Sequence, residues 1–287
     1  MTAIYKKEVK GFFTSMVGYV FIAFLLAVCG IYFTAYHLQA MYPKFAYTLQ
    51  AVVFVFLIVV PILSMRVLAE ERKQKTDQLL LTAPVSVEGI VLGKYLALVT
   101  VFAVAVAVLA LYPLILTQFG TISMSESYAA LFGFFLMGSC YLAIGLYISS
   151  VTESQVIAAV LTFLALFVFY VADGIASFFP ETASSSYFTL AFLVVIAAVL
   201  INMMLHQAVI AAVTGVICEA ALLIVYLTKS SFYEGLIQKI FGVFNITDHF
   251  SEFCNGIFDV TGVVYYLSFI VVCLFLTVQS IQKRRWS

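Results

Sequence analysis

Long runs of apolar residues alternate with short polar segments along the whole chain. A helix needs about 20 mostly apolar residues to cross the hydrocarbon of a bilayer. Eight runs approach or exceed that length, so the pattern predicts an all-α, polytopic membrane protein with eight transmembrane helices. The predicted spans are Val17–His37, Thr48–Leu68, Ile90–Leu116, Tyr128–Ile148, Val156–Asp173, Phe188–Leu205, Ala208–Leu227 and Val263–Ser280. The sixth and seventh are separated by only two residues, which predicts a tight helical hairpin.

Composition supports a membrane location. The chain is 64% hydrophobic and 10% charged, with a mean hydropathy of +1.14, whereas an ordinary soluble domain is about 25% charged. Too few polar residues are present to coat a soluble core. The formal net charge is zero, so the total charge gives no sign of a nucleic-acid partner.

The distribution of positive charge predicts the orientation, because Lys and Arg favour the cytoplasmic side of a membrane. Eight spans put both termini on one side. Of the 14 Lys and Arg residues, the opposite side holds only Lys44, Lys229 and Lys239. Both termini are therefore predicted to be cytoplasmic.

Three polar segments have an amphipathic pattern. Residues 4–16 place apolar side chains on one helical arc and lysines on the other, which suits a helix at the inner membrane surface. Between the last two predicted spans, apolar residues recur at helical spacing over 232–244 and again over 250–258. We expect two short helices at the outer interface there, with an irregular loop as the alternative.

The most charged run of the chain, AEERKQKTDQLLLTAPVS at 69–86, forms the only sizeable cytoplasmic loop. The second span is expected to continue into it as a helix, with Glu71 and Lys75 at the favourable i,i+4 spacing. Pro84 disfavours helix at the preceding residue, and Ser86 can cap the next helix. The pattern predicts a short cytoplasmic helix held at both ends by membrane helices, with a merely solvated loop as the alternative.

Motifs of catalysis and nucleotide binding are absent from the sequence. It contains no GxxxxGK[ST], HExxH or GxSxG motif, and Glu88 stands where a phosphate loop ending at Gly93-Lys94 would need its first glycine. The three histidines are scattered, and the five cysteines form no CxxC or Cys/His cluster. No catalytic residue, metal site or disulfide framework is predicted. The cysteines are expected to act as small apolar residues.

One acid, Glu219, is predicted to lie near the middle of the membrane. An ionisable residue there costs at least about 2.5 kcal/mol and marks function by default. No Lys or Arg shares its depth, so it is expected to be protonated or bonded to a polar group such as Asn202. A proton- or substrate-linked role and a buried structural role both remain open.

Residues 61–97, PILSMRVLAEERKQKTDQLLLTAPVSVEGIVLGKYLA, resemble the signature of ABC type-2 exporter permeases, with the GldF-like gliding-motility permeases as the closest branch. Four further segments resemble the same family in the same order: IYKKEVKGFFTSMVGYVFIAFLLAVCGIYF, YLAIGLYISSVTESQVIAAVLTF, DGIASFFP and DHFSEFCNGIFDVTGVVYYLSFIVVCLFLTVQSIQKRR. Lys75 stands where relatives usually have glycine, and Gln78 where they often have an acid. Residues 186–230 have no counterpart and resemble a hairpin inserted into a six-helix core.

The resemblance implies one permease domain over 1–287 in a bacterial plasma membrane, dimerising with itself or a sister permease. A separately encoded ABC ATPase subunit would bind ATP and Mg²⁺, and this chain would hold no cofactor and have no enzyme activity. A membrane-anchored auxiliary protein could bind the extracytoplasmic segment 229–262. The residues that the resemblance assigns to ATPase coupling are Glu70, Glu71, Arg72, Thr76, Leu79, Leu80, Thr82, Pro84 and Glu153.

Two other functions are left open by the sequence. One is a proton-coupled secondary transporter that uses Glu219, although no inverted repeat or paired broken helices are visible. The other is a non-transporting membrane anchor for an ABC-type ATPase. The substrate is not indicated by any motif.

Overall fold

The computed structural model describes residues 1–76, 85–205 and 208–285, and every regular element in that part of the chain is helical. A π-helical turn, Thr34–Gln39, extends the second helix, and 3-10 turns lie at Val53–Val55 and Ser230–Tyr233. The α-helices are α1 (Thr2–Thr14), α2 (Met16–Phe33), α3 (Ala46–Val52), α4 (Phe56–Ser64), α5 (Arg66–Lys73), α6 (Val87–Leu109), α7 (Tyr112–Leu116), α8 (Met124–Val151), α9 (Gln155–Ser177), α10 (Ala183–Leu205), α11 (Ala208–Thr228), α12 (Leu236–Phe244), α13 (Ile246–Cys254) and α14 (Val260–Arg285).

Within the described residues, six helical segments are long and apolar enough to cross a membrane. They are Met16–Gln39, Ala46–Lys73, Val87–Leu116, Met124–Val151, Gln155–Ala172 and Val260–Lys283. A seventh is obtained if Gly215–Thr228 and Ser230–Val243, bent by 115° at their junction, count as one span. The predicted number of eight is not confirmed by these six or seven spans of the described residues.

The chain divides into two compact units, Met1–Val168 with Ile246–Ser287, and Phe169–Asn245. In the first unit, α8 is the central helix and packs against α4, α6, α13 and α14. Phe56, Phe102, Phe134 and Tyr141 form a buried aromatic cluster there. The Phe56 ring centroid lies 4.8 Å from that of Phe134 and 5.6 Å from that of Phe102, within the range of favourable aromatic pairs.

Glycines on α8 permit this close packing. A Cβ at Gly138 would overlap the ring of Phe102, and one at Gly145 would overlap the hydroxyl of Ser64. Both neighbours are buried, so neither overlap could be relieved by turning a side chain into solvent. These two glycines therefore set the distance of α8 from α6 and α4.

The second unit contains the helical hairpin expected from the sequence. Helices α10 and α11 pack against each other, and the Tyr187 and Tyr226 rings stack with centroids 4.8 Å apart. The Tyr233 hydroxyl donates to the carbonyl of Leu222 at 2.9 Å. Glu219 on α11 is half-buried, and its Oε1 has no hydrogen-bond partner among the described residues. The Asn202 side chain, its expected partner, lies outside that described part.

The two short helices expected before the last span are present as α12 and α13. Helix α13 buries its apolar face in the first unit, including Phe250, Phe253 and Cys254. Burial raises the pKa of the Cys254 thiol to about 12, so this cysteine behaves as a small apolar residue. The predicted apolar stripe stops at Cys254, because Gly256 adopts a positive φ of 76° and turns the chain towards α14.

Candidate functional site

A buried ion cluster joins three helices at the end of the first unit where α1 lies. Lys94 on α6 is only 1% exposed, and its Nζ lies 2.9 Å from Oε1 of both Glu8 on α1 and Glu71 on α5. The ammonium group also donates to the carbonyl of Val67 at 3.0 Å. All three protons of the lysine can therefore be used in hydrogen bonds.

Charge balance explains how a lysine can be buried here. The Glu8 and Glu71 side chains are 15% and 16% exposed, and Lys7 Nζ lies 3.5 Å from Glu71 Oε1. Two lysines thus face two carboxylates. A buried charge is tolerated only when it is paired and hydrogen-bonded, and removing one partner is strongly destabilising. Helices α1, α5 and α6 are consequently held together at this point.

Further contacts fix α1 on α6. A Cβ at Gly93 would lie 3.2 Å from Cγ2 of the buried Ile4, and the Tyr5 hydroxyl bonds the Thr100 hydroxyl at 3.0 Å. The helix expected from the amphipathic pattern therefore packs on the start of the third span as well as presenting its lysines. Ser86 caps α6 as expected, accepting the amide N–H of Gly89 at 3.2 Å.

Helix α5 ends in a Schellman motif. The Lys75 N–H donates to the carbonyl of Arg72 at 3.0 Å, and the Thr76 N–H donates to that of Glu71 at 2.9 Å. Lys75 has a positive φ of 56°, the left-handed conformation that glycine usually supplies at this position. Lys75 also stands at the position where the resemblance leads us to expect glycine, the residue that adopts this conformation without strain.

Arg72 connects α5 to the turn between α8 and α9. Its Nη1 donates to the carbonyls of Ser150 and Thr152, each at 2.8 Å. Its Nη2 lies 3.3 Å from Oε1 of Glu153, whose side chain is 77% exposed. The arginine side chain is largely buried, so its main role is to satisfy carbonyls at the end of α8, where no helical partner remains.

Ser149 adds a second connection between α8 and α5. Its hydroxyl accepts the amide N–H groups of Leu68 and Ala69 at 3.2 and 3.1 Å and donates to the carbonyl of Met65 at 3.1 Å. Helix α4 ends at Ser64 and α5 begins at Arg66. One hydroxyl group can make these three bonds, and it bridges the interruption between the two helices.

A cavity of about 320 Å³ opens between α1 and α5, close to the ion cluster. Its charged and polar lining includes Lys7, Glu8, Arg66, Glu70, Glu71 and Gln74. Within this lining, Arg66 Nε donates to Glu70 Oε2 at 2.9 Å. The surface of α5 thus offers charged groups beside a concave space.

The structure brings together three of the predicted coupling residues. Glu71 and Arg72 are neighbours on α5, and Arg72 forms an ion pair with Glu153. Glu70 and Thr76 lie on the same segment. Glu71 pairs with Lys94 and Lys7 rather than with Lys75, because Lys75 has left the helix. The predicted coupling residues that lie outside the described part of the chain are Leu79, Leu80, Thr82 and Pro84.

Sequence reasoning missed the centre of this cluster. In the sequence patterns Lys94 is only one of the predicted cytoplasmic positive charges, and neither Glu8 nor Ser149 stands out. The sequence does mark Lys94 and Glu8 as unusual. Lys94 is the only charged residue within the apolar stretch 89–109, and Glu8 is the only acid in the lysine-rich α1. Nothing in the sequence marks Ser149 as a connecting residue, because serines are common near helix ends.

Long apolar helices with a charged, tightly connected region at one end define a multi-pass helical membrane protein. Residues 9–211 match the family model described as ABC-2 family transporter protein. The match covers more than half of the chain, which therefore belongs to that family and is a permease subunit of an ABC transporter. The family implies an ABC ATPase partner and a lipid bilayer, and its members are typically non-catalytic. A comparison with curated proteins finds no match.

Proposed function

We propose that this chain is the permease subunit of an ATP-driven exporter of the GldF-like branch, and that the segment from α5 through the loop to α6 receives the movement of the ATPase subunit. The observation that carries the proposal is the buried Lys94, whose ammonium binds Glu71 before the loop and Glu8 on α1. ATP and Mg²⁺ would be bound by the partner subunit.

The contacts around α5 support force transmission. The ion cluster ties α5 to α1 and α6, and Arg72 ties it to the α8–α9 turn. A displacement of the loop by a docked partner would therefore act on several membrane helices at once. Buried, paired charges and short hydrogen bonds resist separation more strongly than exposed pairs do.

The surface of this chain that binds the ATPase subunit would consist of the loop and the residues next to it. Glu70, Thr76 and the exposed Glu153 surround the base of the loop. We assign the docking contacts themselves to Leu79, Leu80, Thr82 and Pro84, on the strength of the resemblance alone. The lysine-bearing side of α1 is proposed as a secondary contact.

The assembly would contain two permease chains, either two copies or this chain and a sister permease. We propose a bacterial plasma membrane location with both termini cytoplasmic, and one permease domain over 1–287 in which 186–230 is an inserted hairpin. Segment 229–262 would be extracytoplasmic and available to an auxiliary membrane-anchored protein. Family membership supports the permease domain and the membrane location, and the strong bias of Lys and Arg supports the orientation. The inserted hairpin, the second permease chain and the auxiliary protein are proposed from the resemblance alone.

Co-purification with the ATPase subunit tests this function. Leu80→Asp should abolish binding and stimulation of the ATPase while leaving membrane insertion intact. Met41→Asp is the matched control, because Met41 is an 81% exposed residue in the loop at the other end of the second span. Normal binding and stimulation by Leu80→Asp would contradict the proposal.

A second function, proton-coupled transport through Glu219, is favoured by one observation: its Oε1 is buried without a partner among the described residues. Transport that survives inactivation of the ATPase but is lost in Glu219→Gln would support it. ATPase binding without any solute-dependent stimulation in reconstituted vesicles would instead identify a non-transporting anchor.

A further inference from the structure

Three side chains with metal-binding atoms meet where α13 turns into α14. His249 and Glu252 lie three positions apart on one face of α13, and Asp259 immediately precedes α14. One nitrogen and two carboxylate oxygens from these residues lie within 4.8 Å of one another. The proposed coupling function does not use them.

The helix that carries two of these groups is firmly positioned. Phe250 and Phe253 of α13 are buried in the first unit, and a Cβ at Gly133 of α8 would lie only 2.7 Å from Phe253. The His249 ring packs against the Tyr265 ring with centroids 4.4 Å apart. The His249 imidazole and the backbone of Glu252 are therefore held in place beside the start of α14.

A glycine leaves room for the third group. A Cβ at Gly262 would lie 3.3 Å from Oδ2 of Asp259 and 3.5 Å from Cβ of His249. Asp259 accepts the amide N–H groups of Thr261 and Gly262 at 2.9 and 2.7 Å. The side chains of Thr261 and Glu252 also hydrogen-bond this carboxylate, so a cation would replace the direct contact between the Glu252 and Asp259 carboxyl groups.

We propose that His249, Glu252 and Asp259 bind a divalent transition-metal ion of the Zn²⁺ class. An imidazole with carboxylates suits such ions, whereas Ca²⁺ and Mg²⁺ favour sites made of oxygen alone. Bonds of about 2.0–2.2 Å place tetrahedral ligands roughly 3.4 Å apart, so the three ligand atoms, which lie within 4.8 Å of one another, would draw closer together when the ion binds.

The ion would connect α13 to α14 across the turn at Gly256. Three protein ligands leave the fourth tetrahedral position open to water or to a group from a solute or another protein. No metal site is predicted from the sequence, because His-x₂-Glu-x₆-Asp is not a recognised ligand spacing. Only the reversal of the chain at Gly256 brings Asp259 to the other two.

Metal binding is measured on the full chain carrying an affinity tag without histidine, purified in detergent and stripped with EDTA. A Cys218→Ser background removes the one exposed thiol. Equilibrium dialysis with ZnCl₂ and thermal unfolding followed by circular dichroism should give one tightly bound Zn²⁺ per chain and a raised Tm. Asp248→Asn, an exposed acid on the same helix, is the matched control and should change neither result.

His249→Gln and Asp259→Asn should each raise the Kd for Zn²⁺ at least tenfold and remove the rise in Tm. Mutation of residues that only hydrogen-bond to metal ligands already weakens metal binding by about 10–100-fold. Asparagine still caps a helix, so Asp259→Asn separates metal binding from capping. Glu252→Gln, at an exposed position, provides a variant whose metal-free Tm should be unchanged. Absence of stoichiometric binding, or equal binding by the ligand variants and Asp248→Asn, would overturn the proposal.

Discussion

Lys94 Nζ lies 2.9 Å from Oε1 of Glu71, and these residues stand on opposite sides of the charged loop. Glu71 belongs to the helix that enters the loop, and Lys94 belongs to the helix that follows it. The ion pair therefore closes the base of the loop inside the packed unit. Any partner that moves the loop acts on both helices together.

Lys94→Met should destabilise the protein by about 3–5 kcal/mol, because the Glu8 and Glu71 carboxylates would lose their buried counter-ion. Thermal unfolding in detergent micelles measures the loss. The triple variant Glu8→Gln, Glu71→Gln, Lys94→Met should recover much of the stability, since no buried unpaired charge then remains; Lys7 loses both acids but is 66% exposed. A wild-type Tm for Lys94→Met alone would show that the cluster does not hold the helices together.

Arg72→Gln should lower the free energy of unfolding by about 1.5–3 kcal/mol, the range for hydrogen bonds to charged groups. Its loss removes the arginine donor from the carbonyls of Ser150 and Thr152, and the Ser150 carbonyl keeps the Ser280 hydroxyl at 3.3 Å. Glu153→Gln is the control and should cost less than about 1 kcal/mol, because that ion pair is exposed. Equal losses in the two variants would contradict the dominance of the carbonyl contacts.

Lys75→Gly should stabilise the end of α5 by about 0.5–1 kcal/mol, because glycine adopts the left-handed conformation without the strain of a Cβ. Lys75→Ala removes the same charge but keeps the Cβ, so it should bring no such gain. Thermal unfolding of both variants separates the two effects. A larger gain for alanine would attribute the effect to charge instead of backbone conformation.

Gly145→Ala should cost about 1–3 kcal/mol through overpacking against the buried Ser64. Adding Ser64→Gly should restore part of the loss, since both overlapping atoms are removed. Gly30→Ala is the control, because its Cβ would meet nothing closer than the Tyr112 hydroxyl at 3.7 Å. Insensitivity of the unfolding curve to Gly145→Ala would mean that α8 and α4 can separate readily.

Helices were the most predictable part of the fold. Long apolar runs indicated the first five spans and the last one, since each run is near or above membrane-spanning length. The hairpin region was less predictable, because Gly215–Thr228 is followed at once by a second apolar helix bent by 115°. Apolar length alone cannot distinguish a span from a bent pair of helices.

The candidate site was predictable only in part. The resemblance pointed to Glu71, Arg72 and Glu153, but it did not indicate that Glu71 binds Lys94. That pairing depends on how α1 and α5 pack on α6, and such a tertiary contact leaves no periodic signal in the sequence. The conformation of Lys75 was equally hidden, because lysine rarely adopts a positive φ.

The interruption at Met65 divides the second span, so that α5 could rotate about this point relative to α4. Helix α5 has eight residues, so it is about 12 Å long, and a rotation of about 10° at Met65 would displace its far end by about 2 Å. The Ser149 hydroxyl is bonded to the amides of both Leu68 and Ala69, so it ties this helix to α8. A small angular change at the loop would thus become a displacement of about 2 Å that these bonds pass on to the end of α8.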